Sequence, residues 1–359
     1  MRIGIPKEIK TLEGRVGLVP AVCAELVRAG HEVFIEHDAG RRAGFPDADY
    51  RNLGVHVAGD ADELYAAAQL VVKVKEPQPS ELALLNERHL LFAYLHLAGD
   101  ATLARGLAAT GCTAIAFETV RDANDRLPML APMSEIAGRL AVLHGGSFLL
   151  APNGGRGVLL GGAGADEHGR VTVIGGGVAG GSAVRTVAAL GADVTVFDTQ
   201  ATKLAEFQSL GGNVRAFDPR VADVAATVAD SDLVIGAVLI PGARAPHVIS
   251  AEMVRAMRPG SVVVDVSIDQ GGCVETIRPT TYAEPTFVWE EVIHYGVTNM
   301  PGAVPHTASL ALSAAIAPYV RRLADGNWNT EDDLGQGTNV RDGRVVHPQV
   351  LASLAGQDE

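Results

Sequence analysis

Short apolar runs alternate with amphipathic stretches along most of this chain. Arg2–Pro6 reads as a buried strand, Pro20–Ala29 as a helix opened by Pro20 and ended by Gly30, and His31–Glu36 as the next strand. The same alternation predicts helices near Asp60–Ala68, around Ser80–Arg88 and over Ala101–Ala109, with strands at Leu70–Val74, Leu90–Leu95 and Thr113–Phe117. Strands separated by helices imply a parallel sheet covered on both faces. Ser134 is placed to cap an apolar helix over Glu135–Leu150. Asn153–Gly164 is glycine-dense but lacks strand–turn–helix context, so it reads as a strand and turns. Strands at Leu233–Val238, Val262–Val266 and His294–Val297 follow. A long apolar helix over Thr307–Leu323, which Pro318 should kink or restart, leads into a polar tail.

The pattern is sharpest between Val171 and Asp198: a β-branched run, a glycine turn, a helical stretch, a second apolar run, then an acid. Gly175, Gly177 and Gly180 form G-x-G-x-x-G at the junction of strand and helix. The first glycine permits the turn, the second lets the backbone approach a pyrophosphate, and the third lets helix and strand pack closely. A diphosphate there would meet unpaired N–H groups at the positive end of the helix. Asp198 can accept hydrogen bonds from a ribose and would repel a 2′-phosphate, which favours NAD over NADP. The bland alternative is a structural turn without a ligand.

Length and composition narrow the classes. A chain of 359 residues makes two domains the expectation, and 47% hydrophobic with 20% charged residues is the profile of a compact soluble protein. A formal charge of −13 argues against a nucleic-acid surface. Cys23, Cys112 and Cys273 are scattered, which points to neither a zinc site nor a disulfide framework. No metal site is argued, because the histidines lack ligand spacing. The first residues lack the apolar core of a signal peptide, and no apolar run approaches ~20 residues. A reduced cytoplasm is the expected compartment.

In doubly wound sheets ligands collect outside the carboxyl ends of the strands. Lys73 and Lys75 end one run, Tyr94 and His96 the next, Asp269 follows a third, and Arg15 lies in the loop after the first strand. A guanidinium forks onto a carboxylate, an ammonium can hold a carbonyl oxygen, and a histidine or carboxylate can pass a proton. The inventory suits an amino or keto acid. Singly, each has a plainer reading: Arg15 and Lys73 as surface ion pairs, His96 as a core histidine, Asp265 as a turn cap, Met133 as gap-filling core.

The segments GIPKEIKTLEGRVGLVP, VVKVKEPQPSE, LLFAYLHLAGD, LPMLAPMSEIAGR, GGRGVLLGG, SDLVIGAVLIPGARAP, DVSIDQGGCVET and VTNMPGAVPHTA resemble those of bacterial L-alanine dehydrogenases and of the NAD-binding subunit of proton-translocating transhydrogenase. The resemblance implies an α/β fold of two Rossmann-like doubly wound domains. A substrate domain built from both chain ends (1–130 and 306–359) would hold an inserted NAD domain (131–305), the two sheets facing each other across a cleft. It implies NAD-dependent, reversible oxidative deamination of L-alanine to pyruvate and ammonia. Arg15 and Lys75 would bind substrate, Tyr94, Leu130 and Met133 line its pocket, and His96 and Asp269 serve as acid/base groups. Ser134, Gly175, Gly177, Val178, Gly180, Asp198, Lys203, Val238, Leu239, Ile268, Asp269, Thr298, Asn299, Met300 and Pro301 would surround the cofactor. A homohexamer is also implied. Gly14 and Ser182 depart from the usual pattern, and the loop around Asp218 is shortened. Two alternatives stay open: a related dehydrogenase for another small or N-alkyl amino acid, and a non-catalytic NAD-binding transhydrogenase-type subunit.

Overall fold

The computed structural model describes residues 1–164, 167–238 and 245–355. They form two compact units, Met1–Met133 with Pro301–Glu359, and Ser134–Met300. In chain order the first unit supplies β1 (Arg2–Ile5), β2 (Glu32–Glu36), β3 (His56–Ala58), β4 (Leu70–Val72), β5 (Leu90–Ala93) and β6 (Thr113–Ala116). The second supplies β7 (Arg170–Ile174), β8 (Asp193–Phe197), β9 (Val214–Phe217), β10 (Leu233–Gly236), β11 (Val262–Asp265), β12 (Thr286–Trp289) and β13 (Val292–Tyr295). The chain then returns to the first unit as β14 (Thr338–Arg341) and β15 (Arg344–Val345).

Within the first unit the strand order is β15-β14-β6-β5-β4-β1-β2-β3, with β1 to β6 parallel and β14 antiparallel to β6. Ile3 pairs with Val33 on one side and Leu70 on the other, so β1 sits centrally. The second sheet runs β12-β13-β11-β10-β7-β8-β9, parallel except for β12. In each sheet the order reverses beside the first strand: between β4 and β1, and between β10 and β7. Such reversals splay the connecting loops apart and leave a crevice at the carboxyl edge. Arg15 and Lys75 follow β1 and β4. The glycine turn and Val238 follow β7 and β10.

Several details differ from the sequence expectation. The helix expected to start at Glu135 runs from Ala131 to Phe148, so Ser134 lies within it and is not its cap. Pro132 in its first turn explains the earlier start, because proline tolerates the positions that need no N–H partner. Asn153–Gly164 contains no strand; a single 3₁₀ turn, Ala151–Asn153, precedes coil and turns. The helix around Ser80–Arg88 shrinks to Pro79–Leu82. Helix Pro305–Ala324 continues through Pro318 without restarting. The supposed polar tail contributes β14, β15 and helix Pro348–Ala355 to the first unit.

Candidate functional site

In the first unit, Arg15 is 2% exposed and held by an equally buried acid two residues earlier. Its Nε donates to Glu13 Oε1 at 2.7 Å and its Nη2 to Glu13 Oε2 at 2.5 Å. Burial disfavours the guanidinium charge, but the Glu13 hydrogen bonds and charge outweigh it and hold the Arg15 pKa above its ordinary value. The reading of Arg15 as a surface ion pair therefore fails. Nη1 reaches Met133 Sδ at 3.2 Å, which places Met133 beside the guanidinium. Leu130 lies in the turn just before that helix, half-buried.

Lys73 is also not a surface pair. It is completely buried, its Nζ 2.9 Å from Glu81 Oε2 and 3.5 Å from Glu8 Oε2. The strand ends at Val72, and both faces of a covered parallel sheet are dry, so a lysine there must find a carboxylate. Glu8 bridges to the next lysine: its Oε1 accepts the N–H of Val74 at 2.6 Å and of Lys75 at 3.4 Å. Burial pushes the Glu8 carboxyl up to about 7 against the opposing Lys73 charge.

Tyr94 and His96 lie just past β5. Their rings stack with centroids 5.8 Å apart at 7°, and the Tyr94 hydroxyl donates to Met129 O at 2.6 Å. Burial raises the Tyr94 phenol while the nearby Arg15 charge opposes the shift. His96 is exposed and adopts φ 50°, ψ 31°, a left-handed conformation uncommon for a residue with a Cβ. Glu118 holds it there, with Oε1 accepting the His96 N–H at 2.6 Å and both oxygens accepting that of Leu95 at 3.2 and 3.3 Å. Glu8, Glu13 and Glu118 were not singled out in the sequence. Glu118 had a legible signal, since it follows β6 at the same sheet edge as the other polar residues.

In the second unit the glycine turn leaves β7 with Gly175 at φ 97° and enters helix Val178–Ala189, whose N-cap, Gly177, offers no side-chain hydrogen bond. A Cβ on Gly180 would lie 1.8 Å from Gly175 O, whereas one on Gly177 would meet nothing within 4 Å. The turn is thus tightly packed inside and open outside, where uncapped N–H groups suit a phosphate. Asp198 braces it: Oδ2 accepts the Gly176 N–H at 2.8 Å, Oδ1 accepts that of Gln200 at 2.8 Å, and Lys203 Nζ lies 3.6 Å from Oδ2. Val178 is exposed, and Val238 packs beside Gly175. Phe207, also missed in the sequence, lies against the turn, its ring 2.5 Å from a notional Gly176 Cβ. Leu239 lies outside the described residues. These features fit a dinucleotide.

Past β11, Ile268 is buried and Asp269 exposed in the 3₁₀ turn Ile268–Gln270. Both Asp269 oxygens lie 3.3 Å from the Asn299 N–H, so the structure brings the candidate acid to the Thr298–Pro301 run. Tyr282 donates to Met300 O at 2.7 Å and ties that run down. Ser134 begins the second unit and is half-buried on its helix. Asp265 does cap a turn, as expected, through three backbone N–H groups. Among the described residues, no helix is long and apolar enough to cross a membrane.

Residues 4–137 match the alanine dehydrogenase/PNT N-terminal domain and residues 141–348 the C-terminal domain of the same family. The second match runs past the inserted unit through β14 and β15, so sequence domains and compact units do not coincide. An alanine dehydrogenase of Halomonas elongata is 46% identical, covering 99% of this chain and 97% of its own. A solved L-alanine dehydrogenase is 48% identical with a TM-score of 0.94, covering 99% of both chains. A transhydrogenase structure from Sinorhizobium meliloti is more distant, 27% identical with a TM-score of 0.83 over 97% of this chain and 99% of its own. The chain belongs to the alanine dehydrogenase/PNT family.

Proposed function

We propose that this protein catalyses the reversible, NAD-dependent oxidative deamination of L-alanine to pyruvate and ammonia. The observation that carries the reading is identity of 46% across essentially the whole chain to a curated alanine dehydrogenase. The buried, pre-oriented Arg15 beside Met133 and Tyr94 supports it, because such a group recognises a small carboxylate.

Bound at the glycine turn, NAD supplies the acceptor for the substrate's α-hydride. Arg15 binds the carboxylate and Lys75 the carbonyl oxygen of the oxo acid. Tyr94, Leu130 and Met133 limit the side chain. His96 and Asp269 move the protons as water adds at Cα and ammonia leaves. On the cofactor, Asp198 holds the adenosine ribose, with Lys203 beside it, and Gly175, Gly177, Val178 and Gly180 face the pyrophosphate. Ser134, Val238, Leu239, Ile268 and Thr298–Pro301 complete its surroundings. We assign the protein to the cytoplasm and to a homohexamer, which light scattering of the purified chain would count.

The test is NADH formation across a panel of amino acids with NAD and NADP in parallel, repeated for His96→Ala. Alanine with NAD should be preferred, and the variant should lose about 10²–10⁴-fold in kcat. Near-normal alanine turnover by the variant would remove His96 from the chemistry. Preference for glyoxylate or methylamine in the reverse direction would move the substrate assignment. Hydride exchange between nucleotides without any amino acid would favour the transhydrogenase-type reading.

A further inference from the structure

Asp265, the last residue of β11, is a completely buried carboxylate. Among the described residues no cation pairs with it. Its partners are three backbone N–H groups and one thiol. The Ser267 N–H donates to Oδ1 at 2.8 Å, the Cys273 and Val274 N–H groups donate to Oδ2 at 2.7 and 3.0 Å, and the Cys273 Sγ donates weakly to Oδ1 at 3.7 Å. One oxygen thus holds the start of the Ser267–Cys273 loop and the other holds its end. Asp269 stands at the exposed apex between them.

The loop is shaped to close onto this group. Gly271 and Gly272 have φ of 93° and 78°, and a Cβ on Gly272 would come within 2.9 Å of Asp265 Oδ2. The Cys273 sulfur sits where a side chain on Gly236 would go, 2.5 Å from its notional Cβ, so the loop end is wedged over the tip of β10. Inside the loop, Gln270 and Gly272 donate to Ser267 O at 2.9 and 3.1 Å, and Gly271 donates to Ile268 O at 3.0 Å. These bonds set the turn and the Gly272 bond already draws its sides together, while the carboxylate adds a buried acceptor shared by residues at both ends.

We propose that Asp265 is a positioning residue: by clamping both ends of the Ser267–Cys273 loop it fixes the direction in which Asp269 is presented for proton transfer. The catalytic part of this inference rests on the reading of Asp269 as an acid/base group. The clamp itself does not. The two oxygens each need to accept, so an amide cannot replace the carboxylate. Its single carbonyl would serve one end of the loop, while its NH₂ would face donors at the other. The titratable group facing Asp265 is the Cys273 thiol, 3.7 Å from Oδ1 and pushed up to about 12 by burial and the Asp265 charge. Burial pushes Asp265 itself up to about 6 against its three N–H donors, so the clamp weakens in acid.

The experiment uses the full-length protein as Asp265→Asn and, separately, Gly272→Ala. The second leaves the charge unchanged but crowds Ile277 and Asp265 Oδ2 and strains a backbone at φ 78°, so it serves as a control for loosening the loop by other means. Amide hydrogen exchange over residues 267–274 is measured beside steady-state kinetics as a function of pH. Faster exchange at Cys273 and Val274 is expected in both variants. So is a loss of kcat of about 10²-fold with KM for alanine and NAD within a few-fold of the parent, the pattern of a misdirected group. The acid limb of the kcat profile should also flatten in Asp265→Asn. Unchanged exchange overturns the clamp. Faster exchange with parental kcat per folded molecule shows a purely structural brace and overturns the positioning role. If Asp265→Asn does not fold, protection of the Cys273 and Val274 amides in the parent decides: protection and kcat falling together as pH drops through about 6 support the clamp, and constant protection overturns it. Absence of alanine turnover in the parent enzyme refutes the functional reading instead, with the exchange result still testing the clamp.

Discussion

The two units hold charge in opposite ways. In the first, side-chain ions are buried against one another: Arg15 on Glu13, Lys73 between Glu81 and Glu8. In the second, the glycine turn offers main-chain N–H groups and relies on missing side chains, with Asp198 as a brace. The first arrangement suits a small, sharply charged acid that needs fixed orientation. The second suits a long anion whose phosphates approach the backbone. Ion pairs out of water tolerate no missing partner. A glycine turn tolerates no added atom on its inner side.

The largest effect should come from taking one partner out of a buried pair. Glu13→Ala leaves the Arg15 guanidinium buried without its bidentate acceptor. A loss of about 3–5 kcal/mol in unfolding free energy is expected from denaturant titration. A loss below about 1 kcal/mol would mean that Arg15 escapes to water, and the contrast between the units would weaken.

The glycine turn should separate stability from binding. Gly180→Ala drives a Cβ into Gly175 O and should cost about 1–3 kcal/mol or more, as overpacking does. Gly177→Ala, whose Cβ meets nothing, should leave the melting temperature unchanged yet weaken NAD binding in a fluorescence titration. Equal NAD affinity in Gly177→Ala and the parent would show that the open side of the turn is not where the phosphates lie.

What could be read from the sequence follows the same divide. Glycine spacing reports backbone geometry directly, so Gly175, Gly177 and Gly180 were legible. The β1, β7 and β11 runs were legible because most of their positions are apolar and β-branched. β14 was not: its Thr338 and Asn339 are polar yet buried, and only pairing with β6 makes that so. β9, reading Val-Arg-Ala-Phe, has just half its positions buried. Glu8 and Glu13 look like surface acids in a charged loop, since what buries them is distant in sequence. Lys73 was misread for the same reason.

The subtlest effect concerns Glu8. Its Oε2 has no hydrogen-bond partner among the described residues, only the Lys73 ammonium at 3.5 Å, and Glu13 and Glu81 add like charge nearby. Its carboxyl is raised from 4.5 to about 7, so the folded state binds this proton more tightly than the unfolded chain does. The resulting stabilisation is complete below about 4.5 and is lost as pH rises through about 7. Glu8→Gln fixes the neutral form, keeps an acceptor for the Val74 N–H and removes the titration. The difference in unfolding free energy between Glu8→Gln and the parent should therefore grow in the variant's favour by about 3 kcal/mol from pH 4.5 to pH 7.5. Parallel stability curves across that range would mean that Lys73 keeps Glu8 ionised throughout, and that the first unit's ions are balanced pairs with no proton to spare.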